Sequence, residues 1–255
     1  MASFVMHYVA GEKFLSGINY KLSIRNKNNF RLGNLVVDTI GISDYDRDTK
    51  LDKKMITHFR DEEDRDKCMQ LPNTSIFMDK YRDLVIKDYS AMGYLFHLYT
   101  DKVFFKYLYD KVIECYDINK IKTDNISDSY YVKVKKSNTI YKIYDFYSGN
   151  KMGLYNDYSK MNKYLIDKYK INFDYNNLKK FSITSFNNPG IEEVNYKNIS
   201  EIIDKMKLII NSSIFNRVDS LSIFDIDDID KLLLLVVNSF NYEYSDEVKK
   251  LIKKK

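Results

Sequence analysis

The chain opens with short runs in which apolar and polar positions alternate. Phe4–Val9 and Tyr20–Ile24 follow this pattern, and Leu35–Ile42 is a β-branched run broken by Asp38 and Gly41. Runs of this kind predict short N-terminal strands. From Leu51 to about Gln70 a charged stretch predicts a helix that stops before Leu71-Pro72, because proline restricts the residue ahead of it.

The strongest periodic signal runs from Thr74 to Tyr116. Tyr81, Leu84, Val85, Tyr89, Met92, Leu95, Phe96 and Tyr99 recur at helical spacing. Thr100-Asp101 can cap a second helix carrying Phe104, Phe105, Leu108, Val112 and Cys115. A packed pair of long aromatic helices is therefore expected at the centre of the core.

Beyond a polar linker (119–128), Tyr130–Lys136 and Thr139–Tyr147 alternate around Ser137-Asn138 and predict a hairpin. Tyr158–Tyr169 reads as a helix and Phe181–Phe186 as a strand. The last third reads as helical: one helix after Asn198, an apolar one capped by Asp227 or Asp228, and a last one beginning at Ser245. A short strand at Leu221–Phe224 precedes the second of these. No period of 20 to 50 residues repeats, which excludes a solenoid. The expected class is α+β: N-terminal short strands, a central long aromatic helix pair, a basic β-hairpin and a helical C-terminal third. A division into 1–118 and 129–255, or one continuous domain, fits the length of 255 residues.

Composition adds the outer bounds. Hydrophobic residues at 44% and charged residues at 30% suit a folded globular chain. No apolar run approaches the ~20 residues of a membrane span, and the N-terminus lacks the pattern of a signal peptide. The chain is expected to be soluble and intracellular, cytoplasmic or virion-associated, and not secreted. Cys68 and Cys115 read as small core residues rather than as a disulfide framework. Lysine outnumbers arginine 34 to 7, with Asn, Tyr and Ile abundant, the imprint of an A/T-rich genome such as that of a virus or phage.

Charge is uneven along the chain. Residues 129–180 hold 11 basic and 4 acidic side chains, a net of +7 against +5 for the whole chain. With Ser137-Asn138 as a two-residue turn, Lys136 faces Thr139, Lys135 faces Ile140, Lys133 faces Lys142 and Tyr131 faces Tyr144. Like charges directly opposed on a ladder cost up to about 1 kcal/mol unless something screens them. A nucleic-acid backbone would do so, with tyrosines stacking on bases. Lys133, Lys135, Lys142, Tyr131 and Tyr144 are therefore the candidate nucleic-acid contacts.

Other chemistry is sparse. Asp44, Asp46 and Asp48 imitate the start of a calcium loop, but Thr49 and Met55 stand where glycine and glutamate belong. His58 precedes Asp61-Glu62-Glu63-Asp64 with no second histidine near it in sequence, and His97 reads as a core residue on an aromatic helix. Asp225, Asp227 and Asp228 follow a possible strand, where Mg²⁺ is held in some phosphodiester enzymes, yet they equally make an acidic first helical turn. Nucleophile and nucleotide-loop motifs are missing, so no cofactor and no catalytic residue is expected. The expected function is a non-enzymatic interaction or assembly protein with a protein partner or self-assembly. Nucleic-acid binding through 129–180 is the first alternative, and a metal-dependent phosphodiester enzyme the second.

Overall fold

Ser3 starts the first helix, its hydroxyl oxygen accepting the Met6 amide at 3.2 Å. In the computed structural model, which describes residues 2–18, 20–41, 53–148, 152–186 and 188–253, the chain folds mainly into helices around a small antiparallel sheet. α1 (Phe4–Gly17) and α2 (Ile24–Val36) are followed by a tight helical turn, Val37–Gly41. α3 is described over 53–57. Asn73 then caps α4 (Thr74–Val85), and Asp88 caps α5 (Tyr89–Tyr107) through the Ser90 and Ala91 amides. A wide turn, Leu108–Val112, leads into β1 (Ile113–Tyr116), β2 (Tyr131–Val134) and β3 (Ile140–Lys142), paired in the order β1-β2-β3. α6 (Ile143–Ser148), α7 (Leu154–Lys168), α8 (Tyr175–Thr184), α9 (Ile199–Ser212), α10 (Ile226–Glu243) and α11 (Ser245–Lys253) complete it.

α5 is the axis of the core. From Ser90 to Asp101 every residue is buried, and α1, α2, α4 and α10 pack around it. α2 and α5 cross with their backbones nearly touching. A Cβ on Gly33 would stand 1.9 Å from the Ser90 carbonyl oxygen, and one on Gly93 2.2 Å from that of Phe30. Only glycine permits that approach. Phe14, Phe30, Phe96 and Phe240 then meet with ring centroids 4.9–5.6 Å apart, joining α1, α2, α5 and α10. Aromatic pairs at such separations add about 0.5–1.5 kcal/mol each beyond the area they bury. Residues from both 1–118 and 129–255 belong to this one core.

Several expected elements differ. The N-terminal strands are helices: Phe4–Val9 lies in α1 and Leu35 in α2, while Ile42 falls outside the described residues. From Val5 to Gly11 α1 is buried on every side, so this stretch shows no helical period; its polar positions, Glu12, Lys13 and Ser16, come only in the second half. Short apolar runs of that kind cannot be told from strands by pattern. The long helix breaks at Asp88 rather than at Thr100-Asp101, and Asp101 sits inside α5 as a buried side chain. Phe181 lies in α8, and Leu221–Phe224 is a loop, not a strand. That loop is fixed by the wholly buried Asp157 of α7, whose carboxylate accepts the amides of Ser222, Ile223 and Phe224 at 2.7–3.2 Å. Asp44, Asp46 and Asp48 lie outside the described residues.

Candidate metal centre

The chain has three histidines, at positions 7, 58 and 97, and all three meet in the interior. α1 supplies His7, the turn after α2 supplies Asp38, the end of α3 supplies His58, and α5 supplies His97 and Asp101 one helical turn apart. All five are buried, none more than 7% exposed.

Four ligand-type atoms face one another. His58 Nε2 lies 3.4 Å from Asp101 Oδ2 and 3.8 Å from Asp38 Oδ1. His97 Nε2 lies 3.9 Å from Asp101 Oδ2 and 4.0 Å from Asp38 Oδ2. His58 Nε2, His97 Nε2, Asp101 Oδ2 and Asp38 Oδ1 have no hydrogen-bond partner. Buried polar atoms are almost always paired, so these need an explanation; Asp38, His58 and His97 stand close enough to share one ion, and so do His7, His97 and Asp101.

The surrounding bonds bear on the protonation of the two rings. His97 Nδ1 lies 2.7 Å from the Asn34 carbonyl oxygen, which can only accept, so Nδ1 carries the proton. His58 Nδ1 lies 3.0 Å from Thr57 Oγ1, and the Thr57 hydroxyl donates to the Lys53 carbonyl at 3.1 Å. With the hydroxyl turned that way the oxygen accepts from His58 Nδ1–H; turned to Nδ1 instead, it leaves a His58 Nε2–H facing Asp101 Oδ2 at 3.4 Å. His97 Nε2 is a lone pair in either case. Burial lowers the His58 pKa, and burial with the neighbouring His7 holds His97 down to about 3, so both rings are neutral, the ligand form. Burial works to raise both aspartates. At Asp38 it is outweighed by His97, Lys54 and His58, and at Asp101 by nearby positive charge with His58 and His7, so both remain carboxylates.

Lone pairs without a proton among them repel unless a cation stands between them. Zinc bonds of about 2.0–2.2 Å in a tetrahedron place the ligand atoms about 3.3–3.6 Å apart. The four measured separations are 3.4–4.0 Å, two of them to different oxygens of Asp38, so a single ion would need the side chains to draw together. Nitrogen and oxygen donors without thiolate suit a borderline divalent ion such as Zn²⁺. Two carboxylates neutralise its charge.

The outer layer is also built. Asp101 Oδ1 accepts from the Ala2 amide at 2.8 Å and from His7 Nε2 at 3.2 Å, which leaves Oδ2 for the centre. The His7 ring stacks on His97 with centroids 3.8 Å apart. Asn34 donates to the His7 carbonyl at 2.8 Å while its own carbonyl orients His97, so the tight α2–α5 crossing sets both rings. Phe59, at φ 51°, ends α3 in a left-handed conformation just after His58, and its ring is held edge-on against Phe77. Non-glycine residues in that region store strain and cluster at functional sites.

The centre borders a cavity of about 280 Å³, whose lining includes Ala2, Asp38, Lys54, Tyr155, Asn162 and Lys205. Asp38 belongs to both. Lys54 Nζ lies 3.9 Å from Asp38 Oδ1, and Asn162, 5% exposed, leaves its Oδ1 without a partner.

The residues singled out in the sequence lie elsewhere. β2 and β3 pair Tyr131 with Lys142, Val132 with Tyr141 and Lys133 with Ile140. The register is thus two residues from the expected one, because Lys135 to Thr139 form a longer loop with Asn138 at φ 55°. A two-residue slip keeps the buried face and changes every partner. Lys133 faces Glu114 of β1 rather than Lys142, so the like-charge pair is not formed. Tyr144 has left the sheet for α6, and Lys135 Nζ donates to the carbonyls of Tyr109 and Asp110. Tyr131 and Lys133 remain together beside Tyr116 and Lys120 over a shallow hollow of about 180 Å³. Asp225, not Asp227 or Asp228, caps α10, accepting the Asp227 amide at 2.9 Å. Asp228 pairs with Lys231 at 3.3 Å. α3 ends before Asp61 and Glu62, so the charged stretch after His58 does not continue its helix.

Sequence reasoning set His58 and His97 aside because each stands alone in sequence. The one local signal was His97 with Asp101 at i, i+4, two ligand types on one helix face. No protein-family model matches the chain, and no curated protein and no solved structure is significantly similar to it.

Proposed function

We propose that the protein binds one divalent metal ion of the zinc class through Asp38, His58, His97 and Asp101, and uses it to hydrolyse an anionic ester held in the adjoining cavity. The observation that carries this reading is a buried group of ligand-type side chains, Asp38, His58 and His97 within 4.8 Å of one another with Asp101 beside His58, in which the His97 Nε2 is a lone pair. A bound divalent ion of this class lowers the pKa of its water to about 7 and supplies a nucleophile at neutral pH. Asp38, shared by centre and cavity, would place that nucleophile against the cavity contents. Lys54 and Lys205 on the wall favour a phosphate-type group.

A closed structural ion is the competing reading, favoured by four protein ligands where catalytic zinc usually has three. Metal analysis and turnover of bis(p-nitrophenyl) phosphate separate the two. One metal per chain with metal-dependent turnover is expected. Metal without turnover supports the structural reading. Apo-protein that takes up neither Zn²⁺ nor Mn²⁺ in calorimetry removes both.

Assembly with a protein partner and nucleic-acid contact through Tyr131 and Lys133 remain proposals for other surfaces. Binding to labelled DNA and RNA that falls steeply with salt, and is lost in Lys133→Glu, is the test of the latter. The membrane has one bound: among the described residues no helix is long and apolar enough to cross it.

A further inference from the structure

We propose that the rim of the cavity beside the metal centre is a docking surface for an anionic lipid bilayer, so that the ester drawn into the cavity belongs to a lipid. The substrate part of this rests on the hydrolytic reading; the docking part does not.

The exposed residues that line the cavity are Tyr155, Ser159, Lys205 and Ser212, and exposed apolar side chains follow directly on this lining. Tyr155, at the start of α7, lines the cavity and is 50% exposed. On α9, Lys205, Ile209 and Ser212 line the opposite wall at helical spacing, and Leu208, one turn from Lys205, is 69% exposed. Ser213 lines the cavity as well, and the next two residues, Ile214 and Phe215, are 64% and 65% exposed. The loop that carries them is tied to α7 by the Arg217 amide donating to the Lys160 carbonyl at 3.3 Å. Singly scattered apolar side chains need no explanation, but Leu208 and Ile214 each neighbour a lining residue in sequence, Phe215 follows Ile214, and Tyr155 lines the cavity itself.

Lys205 lines the cavity, Arg217 lies two residues beyond Phe215, and Lys207 faces α8. Lys205 lies over the Phe4 ring at 5.2 Å, Lys207 over Tyr175 at 3.8 Å and Arg217 over Phe215 at 5.8 Å. Among the described residues none of the three makes an ion pair within 4 Å. Apolar tips between aromatic-seated cations match the layering of a bilayer surface, where side chains enter the acyl boundary and basic groups meet lipid phosphates at about 1 kcal/mol each. A flat protein interface would instead favour one contiguous apolar core.

The test is co-sedimentation with phosphatidylcholine–phosphatidylserine vesicles and with phosphatidylcholine vesicles alone. Binding to the mixed vesicles, weakened by salt and at least about tenfold weaker in Ile214→Ser/Phe215→Ser, is expected, since each apolar side chain buries area on insertion. Arg217→Glu, beside the exposed Phe215, is expected to lower binding to the mixed vesicles only. No binding, or equal binding by the double variant, overturns the proposal. So does a concentration-dependent dimer that the same variant abolishes. Metal content and turnover of soluble bis(p-nitrophenyl) phosphate, measured on the same samples, stay unchanged in these variants. If those two are absent while vesicle binding persists, the hydrolytic reading falls and the docking surface stands.

Discussion

Asp101→Asn tests the metal centre with two readouts of opposite sign. The amide keeps an oxygen for the Ala2 amide and His7, and turns an NH₂ donor towards His58 Nε2, 3.4 Å from the present Oδ2. Without metal the variant removes one buried charge and satisfies one orphaned lone pair, so the apo-protein should unfold at the same temperature as wild type or higher. With metal the order reverses. Ion at about 100 to 1,000 times its Kd stabilises the wild type by about 2.7–4.1 kcal/mol. For a chain of this length that raises Tm by roughly 5–16 °C, at about 2–4 °C per kcal/mol. A lost ligand costs at least as much affinity as a lost outer-layer partner, about 10–100-fold. At a hundredfold loss, the same metal concentration stabilises the variant by only about 0.4–1.4 kcal/mol. Calorimetric scans of both proteins with chelator and with Zn²⁺ measure this. A wild-type Tm that moves with neither addition, or a variant as responsive as wild type, would refute the assignment of the four ligands.

Three further outcomes follow from the geometry. His7→Ala should weaken metal binding by about 10–100-fold in competition with a chromogenic chelator, because it frees Asp101 Oδ1 to rotate; an unchanged affinity would show that the Ala2 amide alone orients the carboxylate. Asp157→Ala should lower stability by about 3 kcal/mol or more in urea unfolding, since the Ser222, Ile223 and Phe224 amides lose a charged acceptor, and a loss under about 1 kcal/mol would contradict the loop's dependence on it. Gly93→Ala should cost about 1–3 kcal/mol or more and weaken metal binding together, because the added carbon would stand 2.2 Å from the Phe30 carbonyl oxygen and must part α2 from α5; stability and affinity that move separately would break the link between that crossing and His97.

Local chemistry in the sequence carried the elements whose two faces differ. α7 and α10 have helical apolar stripes, α11 begins at Ser245 as its acidic start and basic end require, and the hairpin was marked by alternation. α1 escaped because tertiary burial on all sides erases the period that makes a helix legible. The register of β2 on β3 escaped for another reason. Slips by two residues keep Val132 and Val134 inside, so the pattern cannot choose among them, and the longer loop does.

The metal centre was beyond sequence reasoning because its ligands are 20, 39 and 4 residues apart along the chain, on three different segments. The residue types were all present, with three histidines and the His97–Asp101 spacing among them. Their convergence depends on the backbone contact that Gly33 and Gly93 allow, on the Asn34 carbonyl that this contact aims at His97, and on the left-handed Phe59 that ends α3 after His58. A coordination site is a set of distances, and in this protein those distances are produced by helix crossings that no local run of residues encodes.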